Sequence, residues 1–259
     1  MKFENIEDIV GKVPFISPAN ARFLYDLIVK EGLTNILELG IAHGTATCYM
    51  AAALEELGEG KAVAVDLLDT KDWFKPSAEE QLEKAKLGRF AEVVRMQTGY
   101  TWFLHDEIKR LTENDVCREK YDLCIIDGPK NWTVDGCAFF LVDKILKENG
   151  WLIFDDYLWT YAQADSKREE TDGIQHRSLS EAERNTPQVR EIFELLVKQH
   201  PNYGELIVPQ EEGWAIARKR KSDRKQYKIQ YTHTSGAFLA SVVAGTKRRV
   251  KSLVQRQAI

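Results

Sequence analysis

The sequence lacks any long apolar run. Although 44% of its 259 residues are hydrophobic, no apolar stretch approaches the ~20 residues that a membrane-crossing helix needs. The first ten residues, MKFENIEDIV, contain acids and no apolar signal core, which argues against secretion. We therefore expect a cytoplasmic globular protein, and the length is sufficient for one α/β domain with additions.

Cysteine and histidine are also scarce. The four cysteines form no CxxC pair and have no histidine-rich neighbourhood, which argues against zinc. Cys48, Cys124 and Cys137 lie in segments that are typical of buried helices or strands. We therefore expect reduced thiols in the core. The five histidines offer no set of two histidines and one carboxylate, the set that non-haem iron oxygenases use.

Acidic residues are nearly absent from residues 218–259. This tail holds twelve Lys or Arg and one acid, a net charge of +11, whereas the rest of the chain carries −15. A basic tail suggests an anionic partner or an intersubunit contact. Its apolar pairs would suit an amphipathic helix on a membrane surface, a homo-oligomer arm or a disordered end. No nucleic acid is expected, because no recognised binding module is present.

Short apolar runs alternate with helical patterns through the middle of the chain. The predicted strands are 35–40, 62–68, 91–98, 121–128 and 151–157. Near-continuous apolar strands separated by helices predict a parallel sheet covered on both faces. Two further strands joined by a turn at 211–213 predict an antiparallel hairpin. The expected fold is therefore α/β, with a doubly wound, mostly parallel seven-stranded sheet and a C-terminal antiparallel hairpin.

This pattern divides the chain into three parts. A helical segment is expected over 1–32, the α/β domain over 33–217 and the basic tail over 218–259. Within the domain, residues 158–186 are polar and longer than usual connections, which predicts a lid or a disordered segment.

The loop after the first strand points to a ligand without phosphate. Nucleotides bind at this place in doubly wound sheets, but the GxGxxG of dehydrogenases is absent and only Gly40 and Gly44 are present. Glu38 on the strand would repel phosphate and could pair with an ammonium. Asp66, at the end of the second strand, can accept from two ribose hydroxyls. A ribose with a cationic group fits S-adenosylmethionine better than NAD.

Four motifs together carry a family resemblance: ELGIAHGTA, AVAVDLL, IIDGPK and IFDDY. The chain resembles class I S-adenosylmethionine-dependent methyltransferases over roughly 33–217. Within that class it is similar to the metal-dependent O-methyltransferases of the catechol and macrocin types. The resemblance implies a Rossmann-like methyltransferase fold and S-adenosyl-L-methionine as cofactor. The residues that it implies for the cofactor site are Glu38, Gly40, Ala42, His43, Gly44, Thr45, Asp66, Gly99, Tyr100 and Asp127.

Acids follow the fourth and fifth predicted strands. Asp127 ends the fourth, and Asp155 and Asp156 end the fifth. Adjacent parallel strands lie about 4.8 Å apart, so these carboxylates can converge, and crowded carboxylates need a cation or a proton. Oxygen ligands suit Mg²⁺, or Mn²⁺ as a substitute. All three match the family's metal positions, although Asp156 stands where the catechol type has asparagine. The alternative is that Asp155 or Asp156 caps the following segment.

Lys130 follows Asp127 by three residues. It matches the lysine that serves as general base in the catechol type, so the resemblance makes Lys130 and Asp127 the expected catalytic residues. A lysine acts as base only when neutral, and a neighbouring divalent cation would lower its pKa. The alternative is a solvated loop lysine. The macrocin type carries an acidic or histidine-containing loop here, from which DGPKNW departs.

Aromatic residues surround the two acidic strand ends. Trp132, Tyr157, Trp159 and Tyr161 could wall an acceptor pocket, or could pack the polar segment onto the domain. His105, on a predicted helix, is expected to be structural.

The expected function is Mg²⁺-dependent methylation of a hydroxyl in a small molecule or saccharide, on a sugar or phenolic vicinal diol. A metal-dependent hydroxylase on the same fold is one alternative, which the missing two-histidine set argues against. A non-catalytic cofactor-binding module is another, which the crowded carboxylates argue against.

Overall fold

A computed structural model describes residues 1–163, 178–209 and 213–222. Residues 164–177 of the expected lid and nearly all of the basic tail lie outside these residues. None of the helices in the described ranges has the length and apolarity required to cross a lipid bilayer.

Helices and strands alternate along most of the chain. The strands are β1 Asn35–Leu39, β2 Lys61–Leu67, β3 Ala91–Met96, β4 Thr112–Glu113, β5 Val116–Cys117, β6 Tyr121–Ile126, β7 Leu146–Phe154, β8 Tyr203–Ile207 and β9 Ala215–Lys219. The α-helices are α1 Phe3–Val10, α2 Pro18–Glu31, α3 Thr45–Leu57, α4 Thr70–Trp73, α5 Ala78–Ala85, α6 Tyr100–Leu111, α7 Trp132–Asp143, α8 Glu181–Asn185 and α9 Gln188–Ile192. A short 3₁₀ turn spans Tyr161–Gln163, and α9 continues as a π-helical turn, Phe193–Val197.

Seven strands form one sheet in the order β3-β2-β1-β6-β7-β9-β8. The first five of these are parallel to one another, and β9 is antiparallel to both β7 and β8. Strands β4 and β5 form a separate antiparallel pair. The expected sheet and its C-terminal hairpin are thereby confirmed. The strand order reverses between β1 and β6, so their carboxyl ends flank the crevice where such sheets bind ligands.

Helices cover the sheet on both faces. On one face α1, α2, α3 and α5 pack a core that includes Ile6, Leu24, Ile28, Met50 and Leu54. On the other face α6, α7 and α9 pack a core that includes Leu104, Phe139, Val142 and Ile192. The central strands are therefore buried on both sides, which explains their near-continuous apolar sequences.

Helix ends follow their capping residues. The Ser17 side chain accepts from the Asn20 N–H at 3.1 Å, and Pro18 takes the first position of α2. Gly32 ends that helix with φ of 65°, and Gly58 ends α3 with φ of 82°. Such left-handed positions favour glycine.

Three details differ from the sequence-based expectations. Strand β7 begins at Leu146 rather than 151, because Leu146 pairs with Tyr121 ahead of a shift in register. Strand β9 runs through Lys219, two residues beyond the expected domain end. Cys137 is exposed on α7, whereas Cys48 and Cys124 are buried. The four cysteines all lie within the described residues and form no disulfide with one another.

Candidate active site at the carboxyl edge of the sheet

A cavity of about 1670 Å³ lies at the carboxyl ends of β1, β2, β6 and β7. Most of the predicted site residues line it: Glu38, Gly40, Ala42, Asp66, Gly99, Tyr100, Asp127, Lys130, Asp155 and Asp156. His43, Gly44 and Thr45 are not among the lining residues. Residues that are far apart in the sequence are therefore brought together in one cavity.

The first loop, residues 40–45, approaches β6 closely. Gly40 has φ of 88°, and its N–H donates to the Val65 carbonyl at 2.8 Å. A Cβ at Gly40 would lie 2.1 Å from the Asp127 carbonyl oxygen, far inside van der Waals contact. Glycine is therefore required both by the left-handed backbone and by the contact between the first loop and the end of β6.

Glu38 is a buried acid beside the first loop. It is 2% exposed, and the Thr47 hydroxyl donates to its carboxylate. Burial is the main cause that raises the pKa of Glu38 to about 8, and the nearby charge of Asp66 acts in the same direction. A cationic ligand group in the cavity would favour the ionised carboxylate.

Asp66 anchors the first loop. Its Oδ2 accepts from the backbone N–H groups of Ile41 at 3.0 Å and Ala42 at 3.1 Å. Its Oδ1 accepts from the Leu67 N–H at 2.7 Å. Each carboxylate oxygen has two lone pairs, so Asp66 can anchor the loop and still accept from a ligand. The predicted contact with ribose hydroxyls stays a prediction.

The three remaining residues of the first-loop prediction have packing contacts. His43 Nδ1 is 2.8 Å from the Pro76 carbonyl oxygen, and the His43 ring stacks on Phe15 at a centroid distance of 5.5 Å. The Thr45 hydroxyl donates to a backbone carbonyl 3.3 Å away in the N-terminal segment. Gly44 is the N-cap of α3. Their contact with a cofactor stays a prediction, because these contacts are with protein.

Asp127, Asp155 and Asp156 form an acidic cluster. One carboxylate oxygen from each lies within 4.8 Å of the others. The ammonium of Lys130 bonds to Asp127 and lies 3.4 Å from Asp156 Oδ2. Asp156 has φ of 59° and Lys130 has φ of 62°. Left-handed conformations are uncommon for residues other than glycine and occur often at functional sites.

The charges of the cluster are strongly coupled. Burial alone would lower the pKa of Lys130, but the surrounding carboxylates outweigh burial and raise that pKa. Burial, reinforced by the charge of Asp156, raises the pKa of Asp155. Lys130 is therefore a buried ammonium in this arrangement, and not the solvated loop lysine of the alternative interpretation.

Two buried residues near Lys130, Asp135 and Asn131, were not predicted from the sequence. Asp135 accepts from the Tyr100 hydroxyl and, at 2.7 Å, from the Asn131 N–H. Asn131 caps α7 by accepting from two backbone N–H groups of its first turn. An acid within the otherwise apolar stretch VDGCAFFLV was the available signal, because a buried acid requires partners.

The four aromatic residues proposed for the acceptor pocket do not line the cavity. The Tyr157 hydroxyl donates to Glu194 at 2.9 Å, and the Tyr161 hydroxyl donates to the Pro129 carbonyl. Tyr157 and Tyr161 therefore pack the segment after β7 onto the domain, which was the alternative interpretation. Trp132 is exposed on α7. The aromatic residues that do line the cavity are Phe15, Trp73, Phe74, Tyr100 and Trp214.

His105 lies on α6 and does not line the cavity. Its ring stacks on Trp102 at 4.3 Å, and its Nδ1 is 2.8 Å from Asp106. These contacts agree with the expected structural role.

Comparisons with known proteins identify the fold and the domain. Residues 37–157 match the family described as "Methyltransferase domain". An O-methyltransferase from Bacillus cereus, solved with SAH, has a TM-score of 0.56 and 20% identity, covering 85% of this chain and 92% of that chain. The O-methyltransferase TomG from Streptomyces achromogenes, solved with SAM, has a TM-score of 0.54 and 16% identity, with coverages of 85% and 92%.

A methyltransferase from Podospora anserina, solved with SAH, has a TM-score of 0.57 and 15% identity, covering 84% of this chain and 87% of that chain. No curated protein gives a significant match. The match over residues 37–157 and the shared fold agree with the expected Rossmann-like methyltransferase fold.

Proposed function

We propose that this methyltransferase transfers the methyl group of S-adenosylmethionine to a hydroxyl oxygen of a small molecule or saccharide, in a Mg²⁺-dependent reaction. The proposed acceptor is a sugar or phenolic vicinal diol. The proposal rests on one observation. A single cavity is lined by Glu38 and Asp66, the two acids beside the first loop, and by the acidic cluster with Lys130.

The first loop fits a cofactor that carries a cation and a ribose. Gly40 keeps the loop backbone free of a side chain at the point where it meets Asp127. Glu38 offers a carboxylate that a positive charge would stabilise, and Asp66 retains acceptor capacity for hydroxyls. We assign Glu38 to the methionine ammonium and Asp66 to the ribose.

The acidic cluster fits a hard divalent cation. Three carboxylates within 4.8 Å of one another supply oxygen ligands, the type that Mg²⁺ and Mn²⁺ prefer. Such a cation would supply Lewis-acid chemistry, lowering the pKa of a bound hydroxyl. The ammonium of Lys130 bonds to one oxygen of Asp127, so this carboxylate would be shared between Lys130 and a bound cation.

Lys130 Nζ is the atom that we assign to receive the proton of the acceptor hydroxyl. It is buried and lies beside Asp127 and Asp156. As an ammonium it cannot accept a proton. An added positive charge nearby lowers the pKa of a lysine, which is the direction that general-base action requires.

Methyl transfer in the presence and absence of metal tests the proposal. The purified protein is incubated with S-adenosylmethionine, Mg²⁺ and a panel of vicinal diphenols and sugars, and methylated products are identified by mass spectrometry. We expect a monomethylated product that disappears when EDTA is added and returns with excess Mg²⁺. Failure to bind S-adenosylmethionine at high micromolar concentration would overturn the methyltransferase proposal. Undiminished transfer in EDTA would remove the metal requirement alone.

A further inference from the structure

The loop that carries Lys130, residues 128–131, is held by buried groups on both sides. The Pro129 carbonyl accepts from the Tyr161 hydroxyl, and the Asn131 N–H donates to Asp135 at 2.7 Å. The next N–H, that of Trp132, donates to the Gln188 side chain at 2.7 Å. Tyr161 and Gln188 are distant from the loop in the sequence, whereas Asp135 is four residues from Asn131. The loop conformation therefore depends on tertiary structure as well as on a local contact.

Asp135 is the centre of this arrangement. It is 1% exposed and lies in the first turn of α7. One of its oxygens accepts from the Tyr100 hydroxyl, and the other accepts from the Asn131 N–H. A single carboxylate therefore connects the first residue of α6 to the residue that follows Lys130.

The Tyr100–Asp135 pair also packs directly against the loop. A Cβ at Gly128 would lie 1.9 Å from the Tyr100 hydroxyl oxygen and 2.5 Å from Asp135 Oδ1. No side chain fits between the pair and the loop backbone at that position. The position of the pair therefore determines how far the loop can shift towards α6.

Lys130 needs such support because of its backbone and its burial. Its φ of 62° is uncommon for a side chain other than glycine, and strained conformations persist where the surrounding structure holds them. Its ammonium is directed into the acidic cluster, where it contacts Asp127 and Asp156. A relaxed loop would move the ammonium away from these carboxylates.

We propose that Asp135 and Tyr100 are positioning residues, which hold the 128–131 loop so that Lys130 meets the acidic cluster. This proposal rests on the proposed function, because it takes Lys130 to act in methyl transfer. The pair acts on the acidic cluster only through residues 128–131. Neither Asp135 nor Tyr100 takes part in a step of the reaction.

The chain offers a matched control for the pair. The Tyr121 hydroxyl donates to Glu107 at 2.8 Å, and both residues are buried. This second tyrosine–carboxylate pair joins α6 to the start of β6, and neither residue lines the cavity. Tyr121→Phe therefore removes a similar buried hydrogen bond without altering the support of Lys130.

The test compares Tyr100→Phe, Asp135→Ala, Asp135→Asn and Tyr121→Phe with the wild type. Amide hydrogen exchange of the peptide that covers 128–134 reports on the loop without any acceptor. Steady-state kinetics use S-adenosylmethionine, Mg²⁺ and 3,4-dihydroxybenzoate as the acceptor probe. Thermal unfolding establishes that each variant is folded.

We expect Asp135→Ala to lower kcat by about 100-fold and Tyr100→Phe by about 10-fold, the range for residues that orient a catalytic group. The KM for S-adenosylmethionine should stay within about threefold in both, while exchange at 128–134 becomes faster. Asp135→Asn should restore part of kcat, because its amide oxygen can still accept from the Asn131 N–H. Tyr121→Phe should leave kcat and the exchange of this peptide unchanged.

The proposal is overturned if folded Tyr100→Phe matches Tyr121→Phe in both kcat and the exchange of the 128–134 peptide. Because Tyr100→Phe preserves the ring, it remains informative if Asp135→Ala does not fold. A wild type that binds no S-adenosylmethionine would overturn the proposed function instead, and the exchange measurement would still decide whether the pair holds the loop.

Discussion

The two halves of the cavity hold their carboxylates in different ways. In the first-loop half, Glu38 and Asp66 accept from neutral donors, a threonine hydroxyl and backbone N–H groups. In the acidic half, Asp127 and Asp156 contact the ammonium of Lys130. The first-loop half therefore gains an opposite charge when a cationic ligand enters, whereas the acidic half already contains a cation from its own chain.

We infer from this difference that the half with Glu38 and Asp66 binds the cofactor and that the acidic half carries out methyl transfer. A buried acid such as Glu38, whose pKa is raised to about 8, favours a ligand that carries a positive charge. In the proposed function, the acidic cluster holds a divalent cation and Lys130 receives the proton of the acceptor. We therefore expect substitutions in the acidic half to change turnover, and substitutions in the first-loop half to change cofactor affinity and stability.

The largest effect is expected for Asp155→Ala. Removing one carboxylate from the cluster should lower kcat for methyl transfer by about 10³-fold, because metal-assisted charge stabilisation is worth several kcal/mol. The measurement is the initial rate with saturating S-adenosylmethionine and Mg²⁺. Asp106→Ala, which removes an exposed acid on α6, is the control and should keep the wild-type rate. Equal rates for Asp155→Ala and Asp106→Ala would show that the acidic cluster does not contribute to methyl transfer.

Lys130→Met is expected to have the next largest effect. It keeps the aliphatic length and removes the amine, so kcat should fall by about 10²-fold, the usual contribution of a general base. KM for the acceptor should change less than kcat. The control is Lys147→Met, which removes a lysine paired with Asp122 at 2.7 Å outside the cavity. A wild-type kcat in Lys130→Met would remove the base assignment.

Gly40→Ala tests the contact between the two halves. The new methyl group would lie 2.1 Å from the Asp127 carbonyl oxygen, and the alanine backbone would have to keep φ of 88°. We therefore expect a loss of stability of roughly 3 kcal/mol. Gly58→Ala has a similar φ of 82° and open space around its Cβ, so strain alone should cost about 1 kcal/mol. Urea denaturation of both variants measures the difference. Equal losses would contradict the close approach at Gly40.

Glu38→Gln should have an effect that depends on pH. The folded pKa of Glu38, about 8, lies above its usual value of 4.5, so the folded state holds this proton more tightly than the unfolded chain does. Its contribution to stability is therefore lost as pH rises from about 4.5 to about 8. Without ligand, the stability of the variant relative to wild type should increase between pH 5 and pH 8. A pH-independent difference in urea denaturation would contradict the buried acid.

Local sequence signals predicted the strands of the sheet and the ends of helix α2 well. The Ser17–Pro18 start and Gly32 end of α2 are visible in the sequence because capping is a local interaction. The start of β7 at Leu146 was not predicted, because residues 147–150 are polar and lie at the shift in register with β6. Pairing with a distant strand determined that boundary.

The same distinction applies to the site. Acids at strand ends were predictable, because parallel strands place their carboxyl ends at one edge of the sheet, and the three carboxylates do converge. The partner of the buried Asp135 was not predictable, since Tyr100 is 35 residues away. The sequence left two roles open for the aromatic residues, because burial and direction, as at Tyr161, depend on packing that the sequence does not state.

The most direct test of the two-part site is the affinity for S-adenosylmethionine of Asp66→Ala and Asp155→Ala, measured by isothermal titration calorimetry beside the wild type. Asp66 holds the first loop through two backbone N–H groups, so its loss should weaken binding by about 10-fold or more, equivalent to about 1.4 kcal/mol. Asp155→Ala should bind within about threefold of the wild type. Equal weakening in both variants, or no binding by the wild type, would contradict the division of the cavity into a cofactor half and a reaction half.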